Sequence, residues 1–481
     1  MQRFRTVALL LVLGFSPLLQ AETPPAVKPP RQAILGHWLA TLKINGYSLR
    51  LAATIRAESD GSLRGTLNSV DQTGVDNPLD EVSLQETKVR LVLKVSQFTY
   101  EGTLNAAGTE IDGRLSQHGA RLPLVFKKVD QLPAAKKRPQ EPKPPFPYKA
   151  ENVTYANAAA GAKFAGTLTL PRSGGPFPAV LLITGSGQQD RDETILGHRP
   201  FLVIADYLTR RGIAVLRVDD RGVGGSTGDV AHATSEDFAS DVLAGIAYLK
   251  SRTDIDPRRI GLVGHSEGGL IAPMVARRSP DVAFIVLLAG TGIPGDQILY
   301  LQQAAIARQM GASTPAILIN RAVEQLLLTA IKRGTDSAAP DQKSKQPVDD
   351  RRAPPSKDDK KPADNQASAA VDKLAKRVGS PWLRFFISYD PRPALREVRC
   401  PVLALIGSKD IQVPAKENLP EIEKALKAGG NKDYTVKELP HLNHLFQTCR
   451  TGNIDEYGRI EETFAPSALK LIADWISRHT L

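Results

Sequence analysis

The chain has 481 residues, of which 42% are hydrophobic and 23% are charged. This composition is typical of a globular protein with a large core, and it excludes a chain that is disordered throughout. The formal net charge is +11, but no basic helix with interleaved aromatic residues is present, so we expect no nucleic-acid partner. We expect instead that a positive surface makes weak contact with anionic polymers or lipid head groups of the cell envelope.

The N-terminus predicts a secretory signal peptide over residues 1–21. Arg3 and Arg5 precede an apolar stretch over residues 7–19, and Ala21 ends the segment. A membrane anchor is the competing interpretation, but the stretch is short for a spanning helix of about 20 residues. We therefore expect a secreted or periplasmic protein with no integral membrane segment after cleavage.

Residues 32–130 predict a small antiparallel β domain. Short runs that alternate apolar and polar residues, such as Ser48–Ile55, are separated by turn signals. This spacing indicates a sandwich or a barrel with one face in water. No cluster in this region resembles a catalytic group, so we interpret Gly36, Trp38 and Gly102 as packing and turn positions.

A stretch rich in proline and lysine, residues 131–147, predicts a semi-rigid linker before a domain that spans residues 148–481. In that domain strand-like and helix-like segments alternate, which predicts an α/β fold with a mostly parallel sheet and helices on both faces. The predicted strands are residues 179–184, 213–218, 260–263, 282–288, 402–406 and 434–439. Because such sheets bind ligands at the carboxyl ends of their strands, we expect functional residues in the loops that follow them.

The sequence Gly264-His265-Ser266-Glu267-Gly268 stands between a predicted strand and a predicted helix. At a sharp strand-to-helix turn, a side chain in place of either glycine would clash with the backbone. Such a turn holds the Ser266 hydroxyl clear of the sheet, and the helix directs its first N–H groups toward the atom that the oxygen attacks. We therefore predict that Ser266 is a catalytic nucleophile, with an ordinary glycine-rich turn as the alternative.

A serine nucleophile needs a base, and the base needs an orienting acid. His444 follows a predicted strand and is the predicted base, with His441 in the same loop as the second choice. Asp410 follows another predicted strand and can hold the imidazole, although it could instead cap a turn. The chain order Ser, Asp, His is the one expected for this type of fold.

Acyl transfer also needs donors for the tetrahedral oxyanion. We expect one from the backbone N–H of Glu267 and a second from either Ser186 or Gly187. We interpret the charged segment 190–192 as an ion network that orders its loop rather than as a metal site. Residues 219–226 lack the glycine spacing of a dinucleotide site and predict a structural turn. No metal and no cofactor are therefore predicted.

The regular alternation stops over residues 292–390, where we predict a helical cap that can cover the site. Segments 297–310, 315–332 and 382–389 are its predicted helices. Residues 335–370 are dense in Asp, Lys, Pro and Ser, and we predict that they are disordered.

The chain has two cysteines, Cys400 and Cys449. We expect them at opposite ends of the sheet, whereas a disulfide needs Cα atoms within about 7 Å of each other. Two separate thiols are therefore predicted, with a disulfide of an exported protein as the alternative.

From about Tyr148 onward the chain closely resembles the alpha/beta-hydrolase superfamily, in particular bacterial secreted carboxylesterases related to serine aminopeptidases and dienelactone hydrolases. The motifs that carry the resemblance are GSGQQDRD (185–192), VDDRG (218–222), GHSEGG (264–269), GSKD (407–410) and LNHLF (442–446). The resemblance implies a triad of Ser266, Asp410 and His444, no metal, and small or medium acyl esters as substrates. The hydrophilic tract 335–370 departs from the family pattern and leaves the acyl-chain preference open.

Together these features predict an exported serine hydrolase that cleaves small-molecule carboxylic esters through an acyl-enzyme. A serine aminopeptidase or amidase with the same groups is one alternative. A catalytically inert protein whose β domain binds envelope polymer is another, because a fold alone does not imply an activity.

Overall fold

The computed structural model describes residues 29–44, 47–70, 76–117, 120–133, 137–309, 311–336 and 379–480. The predicted signal peptide, and the predicted disordered tract except for its first two residues, lie outside the described residues. These residues divide into two compact units, one with most of the chain up to Leu132 and the other with the remaining residues, chiefly those from Pro133 onward. Within the described ranges, no helix is both long and apolar enough to cross a membrane.

The N-terminal unit is a nine-stranded antiparallel sheet, as the alternating pattern predicts. The sheet order is β4-β3-β2-β1-β9-β8-β7-β6-β5. The strands are β1 (Gly36–Ile44), β2 (Tyr47–Ala57), β3 (Leu63–Ser69), β4 (Asn77–Pro78), β5 (Glu81–Gln85), β6 (Lys88–Leu93), β7 (Phe98–Leu104), β8 (Glu110–Gln117) and β9 (Ala120–Val129). A short helix, α1 (Pro30–Ala33), precedes them, and a 3₁₀ turn covers Lys94–Ser96.

The two end strands of this sheet, β4 and β5, are separated along the chain only by Leu79 and Asp80. The N–H of Leu79 donates to the carbonyl of Gly65 in β3, and the N–H of Asp80 donates to the carbonyl of Val92 in β6, each at 2.9 Å. Two residues span only about 7 Å, so the opposite ends of the sheet must lie close together. The sheet therefore curls like a barrel, one of the two predicted forms.

Packing explains three residues that the sequence singles out in this unit. Trp38 is fully buried and its indole Nε1 donates to the carbonyl of Ile34 at 2.7 Å. Gly36 has a φ of +117°, which favours glycine. A Cβ on Gly102 would lie 2.7 Å from the hydroxyl of Tyr100. These residues have the packing and turn roles that we predict.

The second unit contains an eight-stranded sheet in the order β10-β11-β13-β12-β14-β15-β16-β17. The strands are β10 (Lys149–Asn157), β11 (Ala162–Leu170), β12 (Phe177–Ile183), β13 (Ala214–Val218), β14 (Ile255–His265), β15 (Val282–Leu288), β16 (Val402–Gly407) and β17 (Tyr434–Leu439). The six strands from β12 to β17 are parallel, and they are the six that the sequence predicts. The hairpin of β10 and β11, which adds an antiparallel edge, is absent from the prediction.

Helices cover both faces of this sheet. Successive side chains of a strand point to opposite faces, so alternate residues of these strands pack in two separate cores. In β12, Leu181 packs in the core on one face, whereas Val180 and Leu182 pack in the core on the other. The helices are α2 (Pro200–Thr209), α3 (Ser235–Lys250), α4 (Glu267–Ala276), α5 (Gly295–Gln309), α6 (Thr314–Asp336), α7 (Pro381–Ser388), α8 (Pro391–Glu397), α9 (Ala415–Ala428), α10 (Ile454–Tyr457) and α11 (Pro466–Thr480). This architecture is the alpha/beta-hydrolase fold. Helices α5 to α8 stand between β15 and β16. The first three lie in residues 292–390, where we predict the cap, and α8 directly follows that range.

Part of the stretch predicted as a linker is held firmly against the second unit. The guanidinium of Arg138 donates to the backbone carbonyls of Leu196, Gly197, Gly458 and Ile460 at 2.6–3.2 Å. Gln140 is held nearby, since its Oε1 accepts from the N–H groups of residues 463 and 464. Residues 138–140 therefore belong structurally to the unit that carries the candidate site.

Candidate active site

Ser266 lies at the turn between β14 and α4, at the carboxyl edge of the parallel sheet. Its φ of 53° and ψ of −114° place a non-glycine residue in a strained backbone region. A Cβ on Gly264 would lie 2.0 Å from the carbonyl oxygen of Gly268, and one on Gly268 would lie 2.2 Å from that of Ile183. The close approach of backbone to backbone therefore explains both glycines of the motif, as predicted.

Hydrogen bonds hold this turn in place. The N–H of Ser266 donates to the carbonyl of Leu288 in β15 at 2.8 Å, and its own carbonyl accepts from the N–H of Gly269 at 2.9 Å. Ser266 is half-buried, and Glu267 beside it is buried. The backbone N–H of Glu267 opens α4, where the helix dipole favours a negative charge.

His444 and Asp410 form a buried pair on the loops after β17 and β16. The His444 Nδ1–H donates to Oδ2 of Asp410 at 2.8 Å. The other oxygen of Asp410 accepts from the N–H groups of Gln412 and Val413, each at 2.8 Å. Because the carboxylate is fixed from both sides, it sets the tautomer and orientation of the imidazole. His441, the second choice of the sequence prediction, is exposed on the same loop.

His265, next to Ser266, connects the turn of Ser266 to the loop of His444. The His265 Nε2 lies 2.9 Å from the carbonyl oxygen of His444. The centroids of the two imidazole rings are 4.8 Å apart. The structure therefore brings the turn of Ser266 and the pair of His444 and Asp410 together at one sheet edge.

The loop after β12 lies beside the serine. A Cβ on Gly185 would be 3.3 Å from Cβ of Ser266. The Gly185 N–H is already engaged, since it donates to Oε1 of Glu193 at 2.7 Å. The two predicted oxyanion donors, Ser186 and Gly187, follow directly, and Gly187 has a φ of +98° that favours glycine.

Two acids, the buried Glu267 and the half-buried Asp220, border a cavity on this side of the turn. The carboxylate of Glu267 accepts from the hydroxyl of Ser235 at 2.6 Å and from the indole of Trp382 at 2.8 Å, and burial raises its pKa. Burial also raises the pKa of Asp220 to about 7, against hydrogen bonds from Thr184 and Gln189 that lower it. The negative charges of Glu193 and Glu267 raise it further. The cavity walls are largely apolar and include Phe164, Val230, Phe238 and Ile271.

The charged segment 190–192 forms the ion network that we predict. Asp190 accepts from the N–H and the hydroxyl of Thr194, and Arg191 donates to both oxygens of Asp219. Asp192 pairs with Arg217. In the described part of the chain, no group of three His, Cys, Asp or Glu side chains is arranged to hold a metal ion.

Cys400 and Cys449 are both free thiols, as predicted. Burial raises the pKa of Cys400 to about 12 and that of Cys449 to about 11. Neither thiol is therefore activated as a nucleophile.

Sequence reasoning missed two residues of this site, Glu193 and His265. Their side chains meet at 2.8 Å although they are 72 positions apart. His265 stands inside the nucleophile motif, which is the only local signal that it offers. Glu193 directly follows the charged segment 190–192, but nothing in the spacing indicates its partner.

A protein-family model matches the part of the chain that carries these residues. The family model described as serine aminopeptidase, S33 matches residues 200–448, which is more than half of the chain. This chain belongs to the serine aminopeptidase S33 family. The match covers Ser266, Asp410 and His444 and ends shortly after the histidine loop.

Individual proteins are similar to parts of this family member. Esterase EstD of Thermotoga maritima is 35% identical over 147 residues, which are 30% of this chain and 35% of EstD. An uncharacterized protein of Mycobacterium tuberculosis is 34% identical over 114 residues, which are 24% of this chain and 37% of that protein. The chain thus spans little more than a third of the length of these relatives.

Solved structures of hydrolases are also similar to this chain. An esterase of Pyrococcus furiosus is 14% identical with a TM-score of 0.41, and the match covers 72% of this chain and 98% of that one. The 2,6-dihydroxy-pseudo-oxynicotine hydrolase is 16% identical with a TM-score of 0.39, over 70% of this chain and 68% of that one.

Proposed function

We propose that this protein is a carboxylesterase in which Ser266, His444 and Asp410 form a catalytic triad. The observation that carries the proposal is the buried 2.8 Å hydrogen bond between His444 and Asp410, on loops that meet the turn of Ser266. A serine at a strained strand-to-helix turn, a histidine held in one tautomer and a fixed carboxylate are the parts that serine acyl transfer requires.

In the proposed reaction, Oγ of Ser266 attacks the ester carbonyl carbon while Nε2 of His444 accepts the hydroxyl proton. Asp410 stabilises the imidazolium that forms. The tetrahedral intermediate collapses, and the alcohol leaves with the proton from His444. Water then attacks the acyl-enzyme with His444 as base again, and the carboxylic acid is released with Ser266 restored.

The oxyanion of each tetrahedral intermediate would be stabilised by the backbone N–H of Glu267 and by that of Ser186 or Gly187. Two features support this assignment: Glu267 opens a helix, and the loop of Ser186 and Gly187 lies beside the serine. The apolar walls of the neighbouring cavity suit a small or medium acyl chain.

The similarity to esterase EstD favours an ester as substrate, whereas the family description favours an amide or a peptide. The ester is our first choice because an alcohol is a better leaving group than an amine. A serine aminopeptidase or amidase is the second candidate. We also propose export by the segment 1–21, which sequencing of the mature N-terminus from a native host would test.

Covalent labelling by a fluorophosphonate tests the proposal directly. We expect the wild-type chain to be labelled and Ser266→Ala not to be, with its turnover of p-nitrophenyl butyrate lost. Ester turnover that persists in Ser266→Ala would contradict the proposal. A higher kcat/KM for aminoacyl p-nitroanilides than for p-nitrophenyl butyrate would favour the aminopeptidase, and absence of both activities and of labelling would favour an inert protein.

A further inference from the structure

We infer that Glu193 and His265 form a buried ion pair that positions three loops of the proposed site, and that both are positioning residues rather than catalytic ones. The inference rests on the proposed function, since the loops that the pair connects carry the proposed nucleophile, base and oxyanion donors. Neither side chain takes part in the proton transfers proposed above.

One carboxylate oxygen holds two of these loops. Oε1 of Glu193 accepts from the N–H of Gly185 at 2.7 Å and from Nδ1 of His265 at 2.8 Å. The oxyanion loop begins at Gly185, and His265 precedes Ser266. A shift of this carboxylate would therefore move the oxyanion donors relative to the serine.

The same imidazole reaches the third loop. Nε2 of His265 lies 2.9 Å from the backbone carbonyl of His444. A carbonyl oxygen and a carboxylate oxygen are acceptors only, so both ring nitrogens of His265 must donate. His265 is therefore an imidazolium, and its charge is balanced by Glu193.

The surroundings of His265 favour this charge state. Burial lowers the pKa of His265, but the Glu193 carboxylate, the hydrogen bonds to Glu193 and to the His444 carbonyl, and the charge of Asp410 raise it, and the net shift is upward. The His444 ring packs against it from the loop after β17. Both members of the pair are almost fully buried, with 3% of Glu193 and 6% of His265 exposed.

The loop that carries Glu193 is built to keep it in place. Glu193 has a φ of 52°, which is strained for a residue with a side chain. The carboxylate of Asp190, three residues before Glu193, accepts a hydrogen bond from the N–H of Thr194, the residue after it. After it, the His198 ring contacts the hydroxyl of Thr463 and the carbonyl of Tyr457. Contacts on both sides thus offset the strain at Glu193.

The variants Glu193→Gln and His265→Gln in the full-length protein test this inference. Glutamine at 193 keeps one acceptor oxygen but removes the charge. We expect kcat for p-nitrophenyl butyrate to fall by roughly 10- to 100-fold, with KM within twofold, because the reacting groups are misaligned while the substrate pocket is intact. The double variant should lose no more kcat than the less active of the two single variants, because the pair acts as a unit. Glu397→Gln, with a side chain 56% exposed, is the matched control.

A second readout separates positioning from a merely structural role. In ¹⁵N-histidine NMR spectra near pH 7, His265 should carry protons on both ring nitrogens in the wild type and on one in Glu193→Gln. Melting temperatures would report any general loss of stability. A single ring proton on wild-type His265, or a kcat of Glu193→Gln within twofold of wild type, would overturn the inference. Activity that survives Ser266→Ala would instead overturn the proposed function and leave the NMR result standing.

Discussion

The indole Nε1 of Trp382 donates a hydrogen bond of 2.8 Å to Oε1 of Glu267, the residue that follows Ser266. Trp382 belongs to helix α7, in the segment that we predict to be a cap, and its ring also stacks on Phe386 one turn later. Helix α7 is therefore hydrogen-bonded directly to the turn that carries Ser266, and the hydroxyl of Ser235 provides a second donor to the same oxygen.

Trp382→Phe should weaken the contact between helix α7 and Glu267, because it removes the indole donor and keeps an aromatic ring. The buried oxygen of Glu267 loses one of its two donors, so we expect the free energy of unfolding to fall by about 1–3 kcal/mol. Hydrogen exchange of the amides in Pro381–Ser388 should speed up. Glu267→Gln is the control, because its amide oxygen can still accept both hydrogen bonds. Unchanged exchange in Trp382→Phe would show that the indole hydrogen bond does not hold helix α7 in place.

Gly268→Ala should prevent normal folding of the nucleophile turn. The added methyl carbon would lie 2.2 Å from the carbonyl oxygen of Ile183, so a backbone segment must move. We expect a loss of stability of about 3 kcal/mol or more, measured by chemical denaturation. In Gly161→Ala, where φ is +60° and nothing lies within 4 Å of the new atom, the loss should be about 1–2 kcal/mol. Equal losses in the two variants would contradict the steric explanation.

Asp410→Asn should leave the fold intact and remove most of the activity. An amide nitrogen facing His444 would force the imidazole into the other tautomer, so Nε2 could no longer accept the proton of Ser266. We expect kcat to fall by roughly 10³- to 10⁴-fold with little change in KM. Asp433→Asn is the matched control, since Asp433 contacts His479 near the surface and is 62% exposed. A loss of less than tenfold in Asp410→Asn would argue against the triad.

Asp220 should make the folding stability depend on pH. Because burial raises its pKa to about 7 in the folded protein, the folded state binds the proton more tightly than the unfolded state does. Its contribution to stability is complete below the unfolded pKa of about 4 and is lost as the pH rises to about 7. Between about pH 4 and about pH 7, the free energy of unfolding of the wild type should therefore fall by a few kcal/mol more than that of Asp220→Asn. Parallel curves for Asp220→Asn and wild type would contradict this, and Asp281→Asn at the surface is the control.

The parts of the fold that follow from local patterns were predictable. The bounds predicted for β15 match Val282–Leu288, because an unbroken apolar run between turn residues leaves few alternatives. The hairpin of β10 and β11 was missed because β10 is mostly polar and partly exposed, so it lacks such a run. The sequence predicts a helix over residues 419–428, but α9 begins four residues earlier, at Ala415, and contains Pro420, a residue that is typical of a first turn.

Some residues of the site were also predictable from local patterns and others were not. Ser266, Asp410 and His444 each follow a recognisable strand, and the topology of a parallel sheet then places them on one edge. Glu193 has no such signal, because its role depends on a contact with His265 that only the folded chain creates. The choice of Ser186 or Gly187 as the second oxyanion donor depends on the direction of each backbone N–H in the folded loop. The sequence does not determine that direction.

The anchoring of Arg138 decides where the second unit can be shortened by genetic truncation. A chain that starts at the first strand of the second sheet, Lys149, would leave four backbone carbonyls near Leu196 and Gly458 without their shared donor. Two of these carbonyls, those of Leu196 and Gly197, closely follow Glu193 along the chain, so the damage would extend toward the candidate site. The truncation point therefore lies upstream of Arg138, and the segment from Arg138 to Lys149 should be retained with the second unit.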